Sequence, residues 1–277
     1  MRKILCANFY RLRKDKFFWS AFWSLLALPV LLCFISYQSN LHQDHDPIYV
    51  ENALFNLFPV IAFVCVVFSA LYLGTEFDEN TVRNKLIVGH TRKEIYYANY
   101  LTCIASSLAL LLICLLSSGV AGYFFFRDFL MSRTRIAFLI FCCILCTMVF
   151  SAISVCLAMN IHRKSTAIVA ALLVMFAIMI FASYLEGVLE EPEMTYSSVT
   201  VTMEGVELGE LIPNPAYTGG PLRTVMEFVF DMLPSGQAIQ INNMNFDRCL
   251  RWPLLSVIML AIITAAGYLP FRRSDLQ

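Results

Sequence analysis

Six runs of apolar residues, each long enough to cross a lipid bilayer, limit what this chain can become. They cover roughly residues 19–37, 54–73, 97–126, 136–159, 167–185 and 254–269. A helix crosses the hydrocarbon core in about 20 residues. It also satisfies its own backbone hydrogen bonds there, which an open strand cannot do. With 59% hydrophobic and 14% charged residues and a mean hydropathy of +0.68, the chain lies outside the soluble globular range. The expected fold is an all-α membrane protein forming one domain over residues 1–277. It has six transmembrane helices, an N-terminal interfacial amphipathic helix over 1–18, and a small extracellular cap over 186–252 between helices five and six.

Basic residues orient these spans. With the N-terminus inside, the cytosolic segments hold all six lysines together with Arg2, Arg11, Arg13, Arg83, Arg92, Arg163, Arg272 and Arg273. The outer segments keep Arg127, Arg133, Arg135, Arg223, Arg248 and Arg251, and most of the acids, including Glu186, Glu190, Glu191, Glu193, Glu204, Glu207 and Glu210. This is a positive-inside pattern with both termini cytosolic. A formal net charge of zero therefore conceals a polarity across the membrane, and nothing points to nucleic acid. The first apolar run begins at Trp19 with no small-x-small pattern after it, so no cleavable signal peptide is expected.

Before that run, Leu5, Phe9 and Leu12 share one helical face, with Asn8, Arg11, Lys14 and Asp15 around the other. The reading is a helix lying in the interface, its arginine and lysine turned to lipid headgroups. The alternative is a plain positive flank for the first span. Most of the ten cysteines fall within spans, where they pack as small apolar groups. Cys142, Cys143 and Cys146 invite a metal reading, but no histidine or carboxylate accompanies them. His42-Gln-Asp-His-Asp46 carries metal-ligand chemistry in a solvated loop that does not preorganise it. Asn160-Ile-His-Arg-Lys-Ser165 is a tight cytosolic turn.

In the outer segment, Thr195–Thr202 alternates and is rich in β-branched residues, which predicts a short strand. Asn214-Pro-Ala-Tyr-Thr-Gly-Gly-Pro221 is turn chemistry. Apolar residues at Leu222, Val225, Met226, Val229, Phe230 and Leu233 make one helical stripe. Pro234-Ser-Gly-Gln237 breaks it, and 238–241 resumes briefly. The segment reads as a cap lying on the bundle.

Between the second and third runs, residues 74–97 are charged and aromatic. Asn80 or Thr81 is placed to cap a helix running to Val88, and Gly89 supplies the left-handed residue that ends it. Thr91-Arg-Lys-Glu94 has capping-box spacing, so a second helix starts there and runs into span three. The result is a cytosolic hairpin stiffly joined to a transmembrane helix; the alternative is a solvated connector.

Leu73-Gly-Thr-Glu-Phe77, Thr81-Val-Arg-Asn-Lys-Leu86 and Gly89-His-Thr-Arg92 resemble the permease subunits of type-two ABC exporters, in particular the bacterial branch that includes bacitracin-resistance and lantibiotic-immunity permeases. The likeness extends to the N-terminal helix, the six spans, Asn214-Pro-Ala-Tyr217, Leu233-Pro-Ser-Gly-Gln237 and Phe271-Arg-Arg-Ser-Asp275. It implies that residues 81–91 form the coupling helix that docks an ATP-binding subunit, with Glu76 and Phe77 leading into it. The coupling residues are then Thr81, Val82, Arg83, Asn84, Lys85, Leu86, Gly89, His90, Thr91 and Arg92. Asn80 stands where relatives often carry glycine, and asparagine tolerates the left-handed region. The resemblance further implies a multi-pass protein of the bacterial plasma membrane, paired with a second permease copy and two copies of an ATP-binding cassette subunit.

No GxxxxGK(S/T) loop, HExxH run or nucleophile–base pair is present, and the span interiors lack ionisable residues of the kind that mark ion relays. The chain is thus expected to bind no cofactor of its own, with ATP and Mg on the partner subunit. The leading expectation is the permease of an ATP-driven transporter expelling an amphipathic compound such as an antimicrobial peptide. A membrane sensor or scaffold binding a cationic peptide is the alternative. An intramembrane hydrolase using Glu190 and Glu191 is the third reading.

Overall fold

The computed structural model describes residues 1–42, 48–126, 128–161, 163–197, 199–202, 205–246 and 248–273. Helix α1 (Arg2–Lys14) is followed by α2 (Lys16–His42), α3 (Val50–Phe55), α4 (Phe58–Asp78), α5 (Thr81–Ile87), α6 (Arg92–Phe125), α7 (Arg133–Asn160) and α8 (Lys164–Glu190). Strands β1 (Met194–Tyr196), β2 (Val199–Thr202), β3 (Gly205–Leu208) and β4 (Leu211–Pro213) come next. The chain ends with α9 (Gly220–Met232), α10 (Pro234–Asn242) and α11 (Trp252–Arg273).

Among the described residues six helical stretches are long and apolar enough to span: Lys16–Asn40, Val50–Asp78, Arg92–Phe125, Arg133–Asn160, Lys164–Glu190 and Cys249–Arg273. The second is two helices, α3 and α4, because Pro59 in the first turn of α4 cannot donate to a preceding turn. The most enclosed of the six is α4, which packs between α7 and α8. Helix α2 lies along α6 and α11 along α7, and α2, α8 and α11 keep most of their length uncovered. Close approach depends on small residues: a Cβ at Gly267 of α11 would press into Tyr96 of α6 and Cys156 of α7.

Several expectations need correction. The interfacial helix does not run to residue 18. It stops at Lys14, because Asp15 turns extended and its carboxylate accepts the Phe18 amide at 2.9 Å, capping α2 instead. The strand expected over 195–202 is two strands. β2 pairs antiparallel with β3, and β1 with β4, the first register running from Val199↔Leu208 to Thr202↔Gly205. Pro234-Ser-Gly-Gln237 does end α9, but it also starts α10. That helix does not lie on the bundle: residues 234–241 are all buried, against α4, α7 and α8.

Every residue of that motif has a local task. Pro234 occupies the first turn of α10, where a missing amide costs nothing. Ser235 Oγ donates to the Ile178 carbonyl at 2.9 Å. Gly236 sits so close to the Phe230 carbonyl that a Cβ would overlap it. Gln237 donates to the Asp231 carbonyl at 2.8 Å and accepts from Ser256 Oγ at 2.8 Å.

Candidate functional site

One end of the bundle gathers α1, α5 and the junctions of α4 and α6. The chain leaves α4 through Asn80, which takes the left-handed conformation (φ 51°, ψ 23°) and makes no side-chain cap. Its contribution is the turn itself. Helix α5 ends at Gly89, whose φ of +98° disfavours any other residue. There the His90 amide donates to the Lys85 carbonyl at 3.1 Å. The capping box then forms as its spacing predicts. The Glu94 amide donates to Thr91 Oγ1 at 3.2 Å, and the Thr91 amide to Glu94 Oε2 at 3.3 Å. Arg92 reaches the carbonyls of Phe271 and Arg272 at 3.4 and 3.3 Å, tying the start of α6 to the end of α11.

Beneath α5 lies Glu76, fully buried on the last turn of α4. Lys85 Nζ donates to its Oε1 at 2.7 Å, Arg11 Nη1 stands 2.9 Å from the same oxygen, and Asn99 Nδ2 donates to Oε2 at 2.6 Å. Lys85 also donates to Asn8 Oδ1 at 3.0 Å, and Asn8 Nδ2 to Asn99 Oδ1 at 2.7 Å. Tyr72 closes the circuit: its hydroxyl donates to the Asn8 carbonyl at 2.9 Å, and the Arg11 guanidinium lies 4.0 Å from its ring centroid. One carboxylate thus binds four helices. A buried charge is tolerable when it is paired and hydrogen-bonded in this way, and removing one side of such a pair costs about 3–5 kcal/mol.

The structure therefore corrects one reading. Asn8 and Arg11 do not face headgroups: α1 buries Ile4, Asn8 and Leu12, and Arg11 reaches inward to Glu76, whereas Phe9 and Lys14 are exposed and Leu5 is half-buried. Flanking the apolar run 54–73, which itself carries no ionisable residue, Glu51 is buried as Glu76 is, and its Oε1 accepts the amides of Leu130 and Met131 at 2.7 and 2.6 Å.

The twelve coupling candidates divide accordingly. Glu76 and Val82 are buried, Lys85 reaches Glu76, and Phe77, Thr81 and Leu86 are half-buried. Gly89 and Thr91 shape the turn. Arg83 and Asn84 point outward, while His90 Nδ1 lies 3.6 Å from Glu94. Ile87 and Val88, 74% and 78% exposed at the tip of α5, form its most prominent apolar surface. Sequence reasoning did not single out Asn8, Tyr72 and Asn99 as site residues. The available signal was a lone asparagine, Asn99, inside the apolar third run.

The other chemistry-bearing motifs resolve differently. Residues 43–46 of the His42–Asp46 group lie outside the described residues, as do His162, Ser274 and Asp275. Cys142, Cys143 and Cys146 are buried in the core, and Cys146 Sγ donates to the Pro234 carbonyl at 3.2 Å. Glu191 Oε2 accepts from Asn214 at 2.8 Å, and Asn214 Oδ1 accepts the Ala216 amide at 2.9 Å, so Asn214-Pro-Ala-Tyr217 is a turn pinned to the end of α8.

A family model described as "ABC-2 family transporter protein" matches residues 4–183, which takes in α1 through most of α8. No curated protein matches the chain. The matched stretch is well over half of the sequence, so the chain belongs to the ABC-2 transporter family. It is accordingly a multi-pass membrane protein and the transmembrane component of an ABC transporter, working with an ATP-binding subunit.

Proposed function

Taking the chain as an ABC-2 family permease, we propose that it receives the work of its ATP-binding subunit through α5. The end carrying α1 and α5 is read as cytosolic, because the lysines concentrate there. The observation that carries this reading is the division of α5 into two faces. One is fixed to the bundle through Lys85 and Glu76, and the other presents Ile87 and Val88, 74% and 78% exposed, with Arg83 and Asn84 beside them. An apolar tip on a charged, water-facing helix suits a protein partner.

A push on that tip has short routes into the membrane. Lys85 and Arg11 share one carboxylate, so displacing α5 displaces α1 and α4. The α6 helix follows the Thr91 cap without a break. Closure of two ATP-binding subunits around nucleotide would then switch the bundle between two packings, with a second permease copy completing the pathway along the uncovered faces of α2, α8 or α11. ATP and Mg belong to the partner, and the chain needs no cofactor. The proposed cargo is an amphipathic compound such as an antimicrobial peptide, expelled from the bacterial plasma membrane. Support comes from the acid-rich segment after α8 and from the likeness to immunity permeases.

Co-purification with an ATP-binding subunit, followed by reconstitution in proteoliposomes, tests this reading. ATP-dependent movement of a labelled cationic amphipathic peptide is expected. A complex that hydrolyses ATP and binds the peptide without moving it would make the chain a sensor instead.

A further inference from the structure

At the end opposite α5, helices α8, α9 and α10 and the segment after α10 line an open cavity of about 490 Å3. This lies within the roughly 300–1,000 Å3 of small-ligand sites. Glu186 and Glu190, one turn apart on α8, both line it, together with Glu227 from α9 and the two arginines Arg223 and Arg248. Both guanidinium groups are already engaged. Arg248 Nη1 is 2.7 Å from Glu227 Oε2, and its Nε is 3.5 Å from the buried Asp231. Arg223 Nε is 3.4 Å from Glu227 Oε1, and its Nη2 donates to the Leu189 carbonyl at 2.7 Å. Among the described residues no cation pairs with Glu186 or Glu190. Glu186 receives only the amide of Asn243.

A second, independent observation comes from α10. Gln240 lines the same cavity and is only 3% exposed. Its Nε2 donates to Asp231 Oδ1 at 3.1 Å and to the Gly236 carbonyl at 3.4 Å. Both partners are acceptors, so the amide orientation is fixed and the oxygen is the atom left over. No described residue donates to that Oε1, which is left open to the cavity as an acceptor. The cavity therefore offers two unpaired carboxylates and one vacant amide oxygen. Among the described residues no three His, Cys, Asp or Glu side chains cluster to hold a metal, whereas an ammonium group carries three N–H donors for three such acceptors.

We propose that this cavity binds an alkylammonium group, which rests between Glu186 and Glu190 and donates to Gln240 Oε1. The site goes beyond the docking of an ATPase and does not rest on it, because binding is read on the permease chain alone.

The test titrates the purified full chain, in phosphatidylcholine nanodiscs, with a Lys-Leu-Lys amide whose N-terminal amine is blocked by the fluorophore and with the same peptide acetylated on both lysine side chains. Saturable binding of the first is expected. About tenfold weaker binding is expected for the acetylated peptide and for the Glu186→Gln/Glu190→Gln variant, the scale of a lost charge-assisted bond. Glu190 is exposed, so Glu190→Gln alone keeps the fold and should still weaken binding several-fold. Adding phosphatidylethanolamine separates two sources of the group. Displacement of the peptide assigns the site to a lipid headgroup, and no displacement assigns it to a lysine side chain. Equal affinity for the two peptides, or unchanged affinity in both variants, overturns the proposal.

Discussion

The two ends of this bundle treat carboxylates in opposite ways. At the α5 end, fully buried Glu76 has two cations and an amide on its two oxygens, and four helices meet there. At the other end, Glu186 and Glu190 line an open cavity while both nearby arginines serve Glu227 and Asp231. On the proposed readings, matched charge at one end forms a joint that passes on force, and surplus charge beside a cavity at the other forms a receptor.

The largest effect expected from breaking this contrast is at Glu76. Glu76→Ala leaves Arg11 and Lys85 facing each other with nothing to neutralise them, at a cost of about 3–5 kcal/mol. It should lower the melting temperature in detergent far more than Glu190→Ala at the cavity, and scanning calorimetry of the two variants checks this. If the two melt alike, the contrast fails. The next effect is expected at Gly236→Ala, where the new methyl overlaps the Phe230 carbonyl. Overpacking of this kind costs about 1–3 kcal/mol. The loss should be read in thermal melts and in weakened peptide binding at the cavity, with the α5 end unaffected. Thr91→Ala removes a cap bond worth about 1 kcal/mol. Combining it with Glu94→Ala should cost less than the sum, since the two side chains cap one another. Additive melting losses would show the box to be two independent contacts.

These predictions track what the sequence could disclose. The spans, the left-handed Gly89 and the capping box at Thr91 are local: length, glycine and a four-residue spacing are enough to read them. The Glu76 joint is not local, because Asn8, Lys85 and Asn99 come from three other helices. Helical periodicity places polar Asn8 and Arg11 on the wet face of α1, a sound rule for an isolated helix. It fails here because a buried carboxylate on α4 makes a polar interior face favourable. Burial of α10 was hidden for a related reason. Its Pro-Ser-Gly-Gln start reads as a break, and only the contacts of Ser235 with Ile178 and of Gln237 with Ser256 show that the break turns the chain into the bundle. The hairpin of β1 to β4 was half visible, since β3 and β4 lack the β-branched alternation of 195–202.

The smallest effect on stability should accompany the largest on function. Ile87→Ser/Val88→Ser changes two exposed side chains, so the melting temperature should move little, within about 0.5 kcal/mol of the parent. The deciding measurement is the ATPase rate of the reconstituted complex carrying this double variant. If α5 is the receiving surface, the rate falls to that of the ATP-binding subunit alone while the permease stays folded. A variant complex that assembles and hydrolyses ATP at the parental rate would contradict the account.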